Sequence, residues 1–387
     1  RTAYPSPDPP PGDAVEGLSG DVPIDRVWRA AKAELAKGLP PDKKEALESL
    51  FRSEIAYAAE PHHMSLRDMD EVEIIDGFDY FVAGPGFTAL VNCLAQDLPI
   101  YTDCVVENVD WADSKIQIAL EDGRRCTADR VVTTFPLGVL QDHLRFDLPA
   151  AAPPRSGLPP VPRSRSLFTP PLPEDKVRAI MRLGMGNEEK VVLFWPKPFW
   201  DESLMYFRHP RRHDFRVCHV YALTRKPEDR GWLTLMTPPP LSDTFGAGDD
   251  AAVVAAVMQV IGEMWRNPPP PAKSYVTKWG RDRYSRGSYS FIPVGATLGD
   301  VKKYGEPVDG RLYFAGEGTS LWDPSVAHGA YATGVFSAWD VMQALRKPLP
   351  SQGWGLRQYE ERYTPHVRQL EKMKRKPSPQ YVPLQVR

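Results

Sequence analysis

The chain has few cysteines, almost no net charge and no long apolar run, and each of these features excludes a class of protein. Cys93, Cys104, Cys126 and Cys218 form no CxxC pair and lack the histidine spacing of a metal site, so we expect reduced thiols in the core. The 48 basic and 50 acidic residues leave a net charge of −2, which gives no support for direct nucleic-acid or membrane-surface binding. The longest apolar helical run, Ala251–Trp265, is too short to span a bilayer.

An N-terminal unit of the strand–GxGxxG–helix type, the usual dinucleotide-binding fingerprint, is also absent. Gly246–Ala251, GAGDDA, has a similar spacing and precedes a helical run, but the residues before it, PPPLSDTF, are typical of a loop. The fingerprint needs a strand directly before the glycines, because the pyrophosphate binds where the strand turns into the helix. We therefore interpret Asp249 as the N-cap of a surface helix.

Proline is abundant instead, with 41 residues, and it gathers in stretches that divide the chain. Residues 1–25 are predicted to form an extended arm, and residues 147–170 a surface insertion rich in Pro, Arg and Ser. Residues 346–387 are interpreted as a docking or disordered tail. The ordered modules are therefore expected between these stretches.

Hydrophobic periodicity predicts the secondary structure of those modules. Apolar residues recur at intervals of three and four in 26–39 and 41–60, which indicates two amphipathic helices. Residues 78–100 predict a strand, a Gly-Pro-Gly turn, a helix and the start of another strand. Residues 104–140 predict a β-meander that ends in an apolar strand, Arg130–Thr134.

The stretch GRLYFAGEGTSLWDPSVAHGAYATG, residues 310–334, has the most informative pattern of the chain. A short apolar strand, Leu312–Ala315, runs into Gly316 and Glu317, where glycine permits a sharp turn at the strand's carboxyl end. A helix start follows near Val326–Gly329, and its free N–H groups suit an anion or a carbonyl oxygen. From the residues alone, Glu317 is either an acceptor for ribityl or ribose hydroxyls or a solvated turn residue.

Four ordered blocks of this chain resemble the flavin-dependent amine oxidases, most closely the branch of polyamine oxidases and lysine-specific histone demethylases. The blocks are VVTTFPLGVL, PPLPEDKVRAIMRLGMGNEEKVVLFWPKPFW, KWGRDRYSRGSYSFIPVG and LYFAGEGTS…PSVAHGAYATG, spread over roughly residues 75–345. The resemblance implies a mixed α/β (α+β) fold, with an incomplete FAD-binding Rossmann-like domain and an amine-oxidase substrate domain. Residues 26–74 and 187–297 would belong to the substrate domain, and residues 75–186 and 298–345 to the FAD domain.

The resemblance also implies contacts with bound FAD in several segments of the chain. The implied cofactor-binding residues are Gly316 and Glu317 near the ribityl–diphosphate region, Val326 and Ala327 at the pyrimidine edge of the flavin, Val106 at the adenine, and Thr134 and Pro136 beside the flavin. Backbone amides of a helix N-terminus at the ring edge would favour negative charge on reduced flavin.

Lys190, in EEKVVL, matches the family lysine that holds a water against the flavin N5. Because apolar residues follow it on a strand, it is expected to point inward, where a desolvated amine gives up its proton more readily. Trp279, Tyr284 and Tyr289 match an aromatic wall beside the flavin, which suits the carbon chain and the cation of an amine. The alternatives are a lysine at a strand edge and aromatic residues of an ordinary core.

The family's N-terminal FAD-binding half has no counterpart in this sequence, which begins, by resemblance, inside the helical part of the substrate domain. A partner chain that carries this half is therefore expected, because a sheet without its first βαβ unit exposes an apolar edge and face. Two alternatives stay open. The half could lie outside this chain, or the domain could have lost its flavin.

The resulting hypothesis is an FAD-dependent amine oxidoreductase that oxidises a C–N bond of a polyamine-like amine to an imine and passes the electrons to O₂. The alternative is a non-catalytic subunit that uses the same scaffold as an interaction surface, which the proline-rich arm, the insertion and the basic tail favour. The compartment is not determined. Reduced cysteines and the lack of a visible signal peptide favour an intracellular setting, with organelle import left open.

Overall fold

A computed structural model gives the fold of most of the chain between residues 21 and 347. It describes residues 21–55, 59–66, 86–145, 147, 166–204, 206–207, 209, 216–219, 227, 230–245 and 249–347. Most of the predicted arm, most of the insertion and most of the tail lie outside the described residues, as does the strand predicted before the Gly-Pro-Gly turn. The end of the predicted surface insertion differs from the expectation, because Leu167 and Phe168 are buried in the core and Phe168 forms a short strand with Thr169.

The described chain contains both helices and short strands. The helices are α1 (Ile24–Leu35), α2 (Pro41–Ile55), α3 (Phe87–Ala95), α4 (Leu137–Leu144), α5 (Glu174–Arg182), α6 (Asp250–Met264), α7 (Leu298–Gly305) and α8 (Ala327–Ala344). Sequence signals explain several of their starts. Asp249 caps α6 by accepting the Ala251 N–H at 3.1 Å, as predicted, and Thr297 and Asp300 form a capping box on α7.

The strands form small sheets, which confirms the expected mixed α/β fold. They are β1 (Val106–Asp110), β2 (Ile116–Leu120), β3 (Arg125–Ala128), β4 (Val131–Thr133), β5 (Phe168–Thr169), β6 (Gly184–Met185), β7 (Glu189–Phe194), β8 (Tyr206–Phe207), β9 (Arg216–His219), β10 (Trp232–Thr237), β11 (Lys273–Val276), β12 (Ser290–Phe291) and β13 (Leu312–Phe314). Their orders are β3-β2-β1-β5, β11-β7-β10-β9-β8, β12-β6 and β13-β4.

The predicted β-meander is correct for β1, β2 and β3, which pair antiparallel in sequence order. Its predicted last strand is not part of it. β4 leaves the meander and pairs in parallel with β13, where Val132 lies opposite Tyr313. The difference arises because the partner of β4 is remote in sequence, and no turn signal near β4 specifies it.

The two larger apolar cores of the described residues support most of these sheets. The first joins the inner faces of β1, β2 and β13 to helices α4, α5 and α7, with Phe168, Ile180 and Leu312 completely buried. The second lies between the five-stranded antiparallel sheet and α6, where Val191, Leu233 and the apolar face of the helix meet. Burial of both apolar faces is the main stabilisation of each layer.

Lys176 on α5 is a cationic side chain that is buried beside the first core, with 2% of its surface exposed. Its ammonium donates to the carbonyl oxygens of Lys303, Tyr304 and Glu306, at 3.0, 2.6 and 2.6 Å, where α7 ends. It also lies 3.8 Å from the ring centroid of Phe314 on β13. One side chain therefore caps α7 and joins it to α5 and β13.

The cysteines do not form the expected core thiols. Cys93, Cys104 and Cys126 are free, but Cys93 and Cys126 are exposed and Cys104 is partly buried. The reason is local, since α3 buries none of its residues and β3 is the edge strand of its sheet. The Cys218 side chain lies outside the described part.

None of the described helices combines the length and the apolar character that a membrane crossing requires.

Candidate functional site

The site begins where β13 ends, at the Gly-Glu-Gly turn that the sequence singles out. β13 is buried at all three residues and runs in register with β4, and the Ala315 N–H donates to the Thr133 carbonyl at 3.0 Å. Gly316 then takes φ +133°, a conformation that L side chains rarely adopt. The parallel pair and its glycine turn therefore place Glu317 at the carboxyl end of two neighbouring strands.

Glu317 is held by hydrogen bonds from two different segments. Its Oε1 accepts the Ser290 N–H at 3.2 Å, and its Oε2 accepts the Ser290 hydroxyl at 2.6 Å and the Ser325 N–H at 2.8 Å. Burial raises the pKa of Glu317, while the bonds from the two serines act in the opposite direction. The carboxylate is thus a partly buried acceptor with partners in the protein itself, and its predicted contact with a ribityl chain stays a prediction.

Helix α8 begins close to this carboxylate. Ser325 has φ +68°, and Val326 is the N-cap, with no side-chain bond to the first N–H groups of the helix. Val326 and Ala327 are exposed, while Gly329 is buried against the chain at Asp323. The N-terminus of α8 is therefore an open set of N–H donors, as the sequence predicts for this stretch.

A cavity of about 1230 Å³ opens along strands β1 and β4 and the start of α4. Four predicted site residues line it, Val106, Thr134, Pro136 and Tyr284. The other predicted site residues, which are Gly316, Glu317, Val326, Ala327, Lys190, Trp279 and Tyr289, are not among its lining residues. The cavity thus contains the predicted adenine position and the predicted positions beside the flavin.

Lys190 lies on β7 in the second sheet, and its orientation differs from the expected one. Burial alternates along the strand, so Glu189 and Val191 face the buried side, while Lys190 shares the half-buried side with Val192 and Phe194. It does not point into the core beneath α6. The proton-handling role of Lys190 stays a prediction.

Residues 277–290, here called the aromatic segment, carry all three predicted wall residues. Trp279 and Tyr284 are largely exposed, and Tyr289 donates its hydroxyl to Glu188 at 2.7 Å. At the start of the segment, Glu189 accepts the Gly280 N–H at 3.0 Å and the Thr277 hydroxyl at 2.5 Å. Buried carboxylates from the start of β7 therefore hold the segment, while the rings of Trp279 and Tyr284 stay accessible.

Two charged residues near the wall were not singled out by sequence reasoning. Arg286 lines the cavity, and its Nε lies 3.1 Å from Oδ2 of Asp142 on α4, with both side chains buried. Its carbonyl oxygen would lie 2.3 Å from a Cβ at Gly138, so α4 and the aromatic segment are in direct contact. A buried Arg–Asp pair gives no local sequence signal, because its members are remote in sequence.

Residues 84–89, GPGFTA, also match the GxGxxA spacing. The glycines of this stretch directly precede α3, and Gly86 at the N-cap has φ +67°. Residues 84 and 85 lie outside the described part of the chain.

Helix α3 presents apolar residues to solvent. Phe87 and Val91 are 59% and 58% exposed, and Leu90 and Leu94 are nearly as open. The parallel pair β4–β13 has no further strand on either edge among the described strands. Exposed apolar helices and unpaired edges of parallel strands are unusual in a complete folded domain. These surfaces are therefore suited to contact with another protein segment.

The comparisons with known proteins agree with the resemblance found in the sequence. The profile of the family described as flavin containing amine oxidoreductase matches residues 30–342, which is most of the chain. The chain belongs to this family. The cofactor expected from the sequence, FAD, is the flavin of this family.

Relatives of this family member carry two kinds of name. A histone demethylase-like protein A of Aspergillus fumigatus is 31% identical over 276 residues, which are 66% of this chain and 24% of that protein. A lysine-specific histone demethylase 1 homolog 2 of Oryza sativa is 30% identical over 87% of this chain and 42% of its own length. An Arabidopsis thaliana protein named probable polyamine oxidase 4 is 28% identical over 74% of this chain and 53% of its own. The chain thus spans only about a quarter to a half of these relatives.

The residues present fit parts of an FAD molecule. The cavity exceeds the range of about 300–1,000 Å³ that is typical of small-ligand pockets, so it has room for a large ligand. A Cβ at Gly316 would meet no atom within 4 Å, so the turn leaves open space beside β13. The uncapped N-terminus of α8 offers backbone donors to an electron-rich ring edge.

Proposed function

We propose that the chain forms part of the FAD domain and part of the substrate domain of an FAD-dependent amine oxidoreductase. This enzyme oxidises a polyamine-like amine to an imine. One observation supports this most strongly. The family motif lies at the carboxyl end of a parallel strand pair, with a glycine turn and an open helix N-terminus. Ligands of parallel α/β sheets bind at such an edge.

In this proposal the cavity residues Val106, Thr134 and Pro136 hold the adenine and flavin ends of FAD, and the first amides of α8 face the pyrimidine edge. When bound, FAD supplies the acceptor for a hydride from the carbon next to the amine nitrogen and returns the electrons to O₂. The exposed rings of Trp279 and Tyr284 bind the carbon chain and attract the ammonium of the incoming amine. Lys190 holds a water and moves a proton at its Nζ.

Lys190→Met tests the proton-handling role. We expect the variant to keep the flavin absorbance of the wild type and to lose amine oxidation by about 100-fold or more, as is usual when a general acid or base is removed. The measurement is the rate of flavin bleaching on anaerobic mixing with spermine as a polyamine probe.

Lys273→Met is the matched control, because Lys273 lies on the same side of the same sheet, opposite Phe194 of β7. It should bleach at the wild-type rate. Equal rates in both variants and the wild type would contradict the role of Lys190. Oxidation of a methylated lysine peptide in preference to spermine would instead favour the substrate named in the demethylase relatives. A purified protein with no flavin absorbance under any condition would favour the alternative of a non-catalytic subunit.

We further propose that a partner chain with a strand–GxGxxG–helix unit completes the flavin site. The open edges of the β4–β13 pair can accept parallel strands, and the apolar side of α3 can pack against an added element. The exposed apolar residues on α3 and in the segment after it favour a covering surface that is itself apolar.

Leu94→Glu tests this partner surface. The chain alone should purify with little flavin, and co-expression with an N-terminal half of an amine oxidoreductase should yield a yellow complex in size-exclusion chromatography. Because a buried glutamate at this contact is costly, we expect L94E to lose the complex.

Leu35→Glu on α1 is the control, since Leu35 and Leu94 are 49% and 50% exposed. L35E should retain the complex. Full FAD binding by the chain alone, or an intact complex in L94E, would contradict the proposal of a partner at this surface.

A further inference from the structure

The aromatic segment and the start of α8 meet at a single carboxylate. Ser290, at the end of the segment, gives Glu317 both its N–H and its hydroxyl, and Ser325, directly before α8, gives its N–H. The Ser325 hydroxyl in turn donates to the Ser290 carbonyl. Glu317 therefore binds both segments, and the two serines also bind each other.

The number of these hydrogen bonds determines how many acceptor positions of the Glu317 carboxylate remain for a ligand. An ionised carboxylate has about four acceptor positions, and three of them have protein donors here. A carboxylate that is removed from water is stable only when donors replace the lost hydration. The donors that stabilise Glu317 thus come mainly from the protein and leave about one position open.

The two segments that Glu317 binds have different roles in the proposed function. The aromatic segment carries the wall for the amine, and the first turn of α8 carries the amides for the flavin edge. Ser325 has φ +68°, so its backbone is held in a conformation that a free chain rarely takes. A fixed bond to the Ser325 N–H is a direct means of holding that conformation.

We propose that Glu317 is a positioning residue that locks the aromatic segment to the N-terminal turn of α8, in addition to any contact with a ligand. This inference rests on the proposed function for the roles of the two segments, but the lock itself is a property of the chain. It predicts that loss of the carboxylate loosens two segments that are remote in sequence.

Glu317→Gln tests the lock by amide hydrogen exchange. Glutamine keeps the volume but turns an NH₂ group toward one of the donors, so a charge-assisted bond is lost. Exchange should become about tenfold faster in both 285–292 and 322–328, as expected for the loss of one such bond.

Glu189→Gln is the matched control, because Glu189 is a buried carboxylate that holds the other end of the same segment through Thr277 and Gly280. It should accelerate exchange in 277–282 and leave 322–328 unchanged. Acceleration in E317Q that is confined to residues next to Glu317 in sequence would overturn the proposal.

Flavin affinity separates positioning from direct contact. Ser290→Ala removes only a donor to Glu317, so the lock predicts that it weakens FAD binding in the same direction as E317Q, by several-fold. A loss in E317Q with no change in S290A would mean that the carboxylate acts on the ligand directly, and the proposal would be wrong. These affinities are measured in the complex with the co-expressed N-terminal half. If the wild-type complex binds no FAD, the proposed function fails, and the exchange data alone decide the lock.

Discussion

Lys176→Met should lower the free energy of unfolding by about 3 kcal/mol, which is among the largest effects expected from a single residue of this chain. Methionine has no ammonium to lie over the Phe314 ring, and it offers no donor to the carbonyl oxygens of Lys303, Tyr304 and Glu306. The end of α7 would then be buried with unsatisfied acceptors. Urea denaturation of the two proteins at one pH measures the difference.

The pH dependence of this difference has a definite sign. Burial lowers the pKa of Lys176 from 10.5 to about 7, the nearby Glu306 opposing this in part. Between about pH 7 and pH 10.5 the unfolded chain therefore binds a proton that the folded chain releases, so folding becomes more favourable as the pH rises. The advantage of the wild type over K176M should therefore grow as the pH rises from about 7 to about 10.5, and it should be constant below about pH 7, where both states of the wild type are protonated.

Lys303→Met is the control for the stability measurement. Lys303 is a surface lysine whose pKa is raised to about 12 by its hydrogen bonds to Glu306 and Asp175, and its carbonyl, which Lys176 uses, is unchanged in the variant. K303M should unfold close to the wild type. Equal stability of K176M and K303M would show that the cap on α7 is not important.

Gly329→Ala should also lower the free energy of unfolding, by about 3 kcal/mol. A Cβ at residue 329 would lie 1.8 Å from the Asp323 carbonyl oxygen, which is backbone and cannot rotate away. The substitution therefore has to displace either the first turn of α8 or the turn before it. Thermal unfolding measures the loss, and faster amide exchange in 320–328 would locate it.

Gly334→Ala is a control on the same helix. A Cβ there would meet no atom within 4 Å, so only helix propensity changes, and alanine should stabilise by about 0.5–1 kcal/mol. The two glycine variants should thus shift stability in opposite directions. A similar small change in the free energy of unfolding of both glycine variants would contradict the close packing of Gly329 against Asp323.

The local pattern of the site was predictable, and its assembly was not. The apolar run that ends in Gly316 correctly predicted a buried strand and a sharp turn, because both depend on neighbouring residues. The pairing of β13 with β4 depends on a strand far earlier in the chain. The two serines that bind Glu317 are likewise brought together only by the fold.

Lys190 shows why the orientation of a strand residue is difficult to predict. The run of apolar residues after it suggested an inward side chain, but both faces of β7 carry apolar residues. Which face is buried depends on where α6 packs, and α6 lies much further along the chain. Period-two patterns therefore identify the two faces of such a strand without telling which one is covered.

The open apolar side of α3 has a consequence for how the stability of this protein depends on concentration. If a separate chain covers it, the covered state is favoured by mass action, and the apparent melting temperature rises when both chains are concentrated. If a tethered segment covers it, the local concentration is fixed by the tether, and dilution leaves the melting temperature unchanged. The way in which α3 is covered thus determines whether the stability of the flavin site depends on the protein concentration.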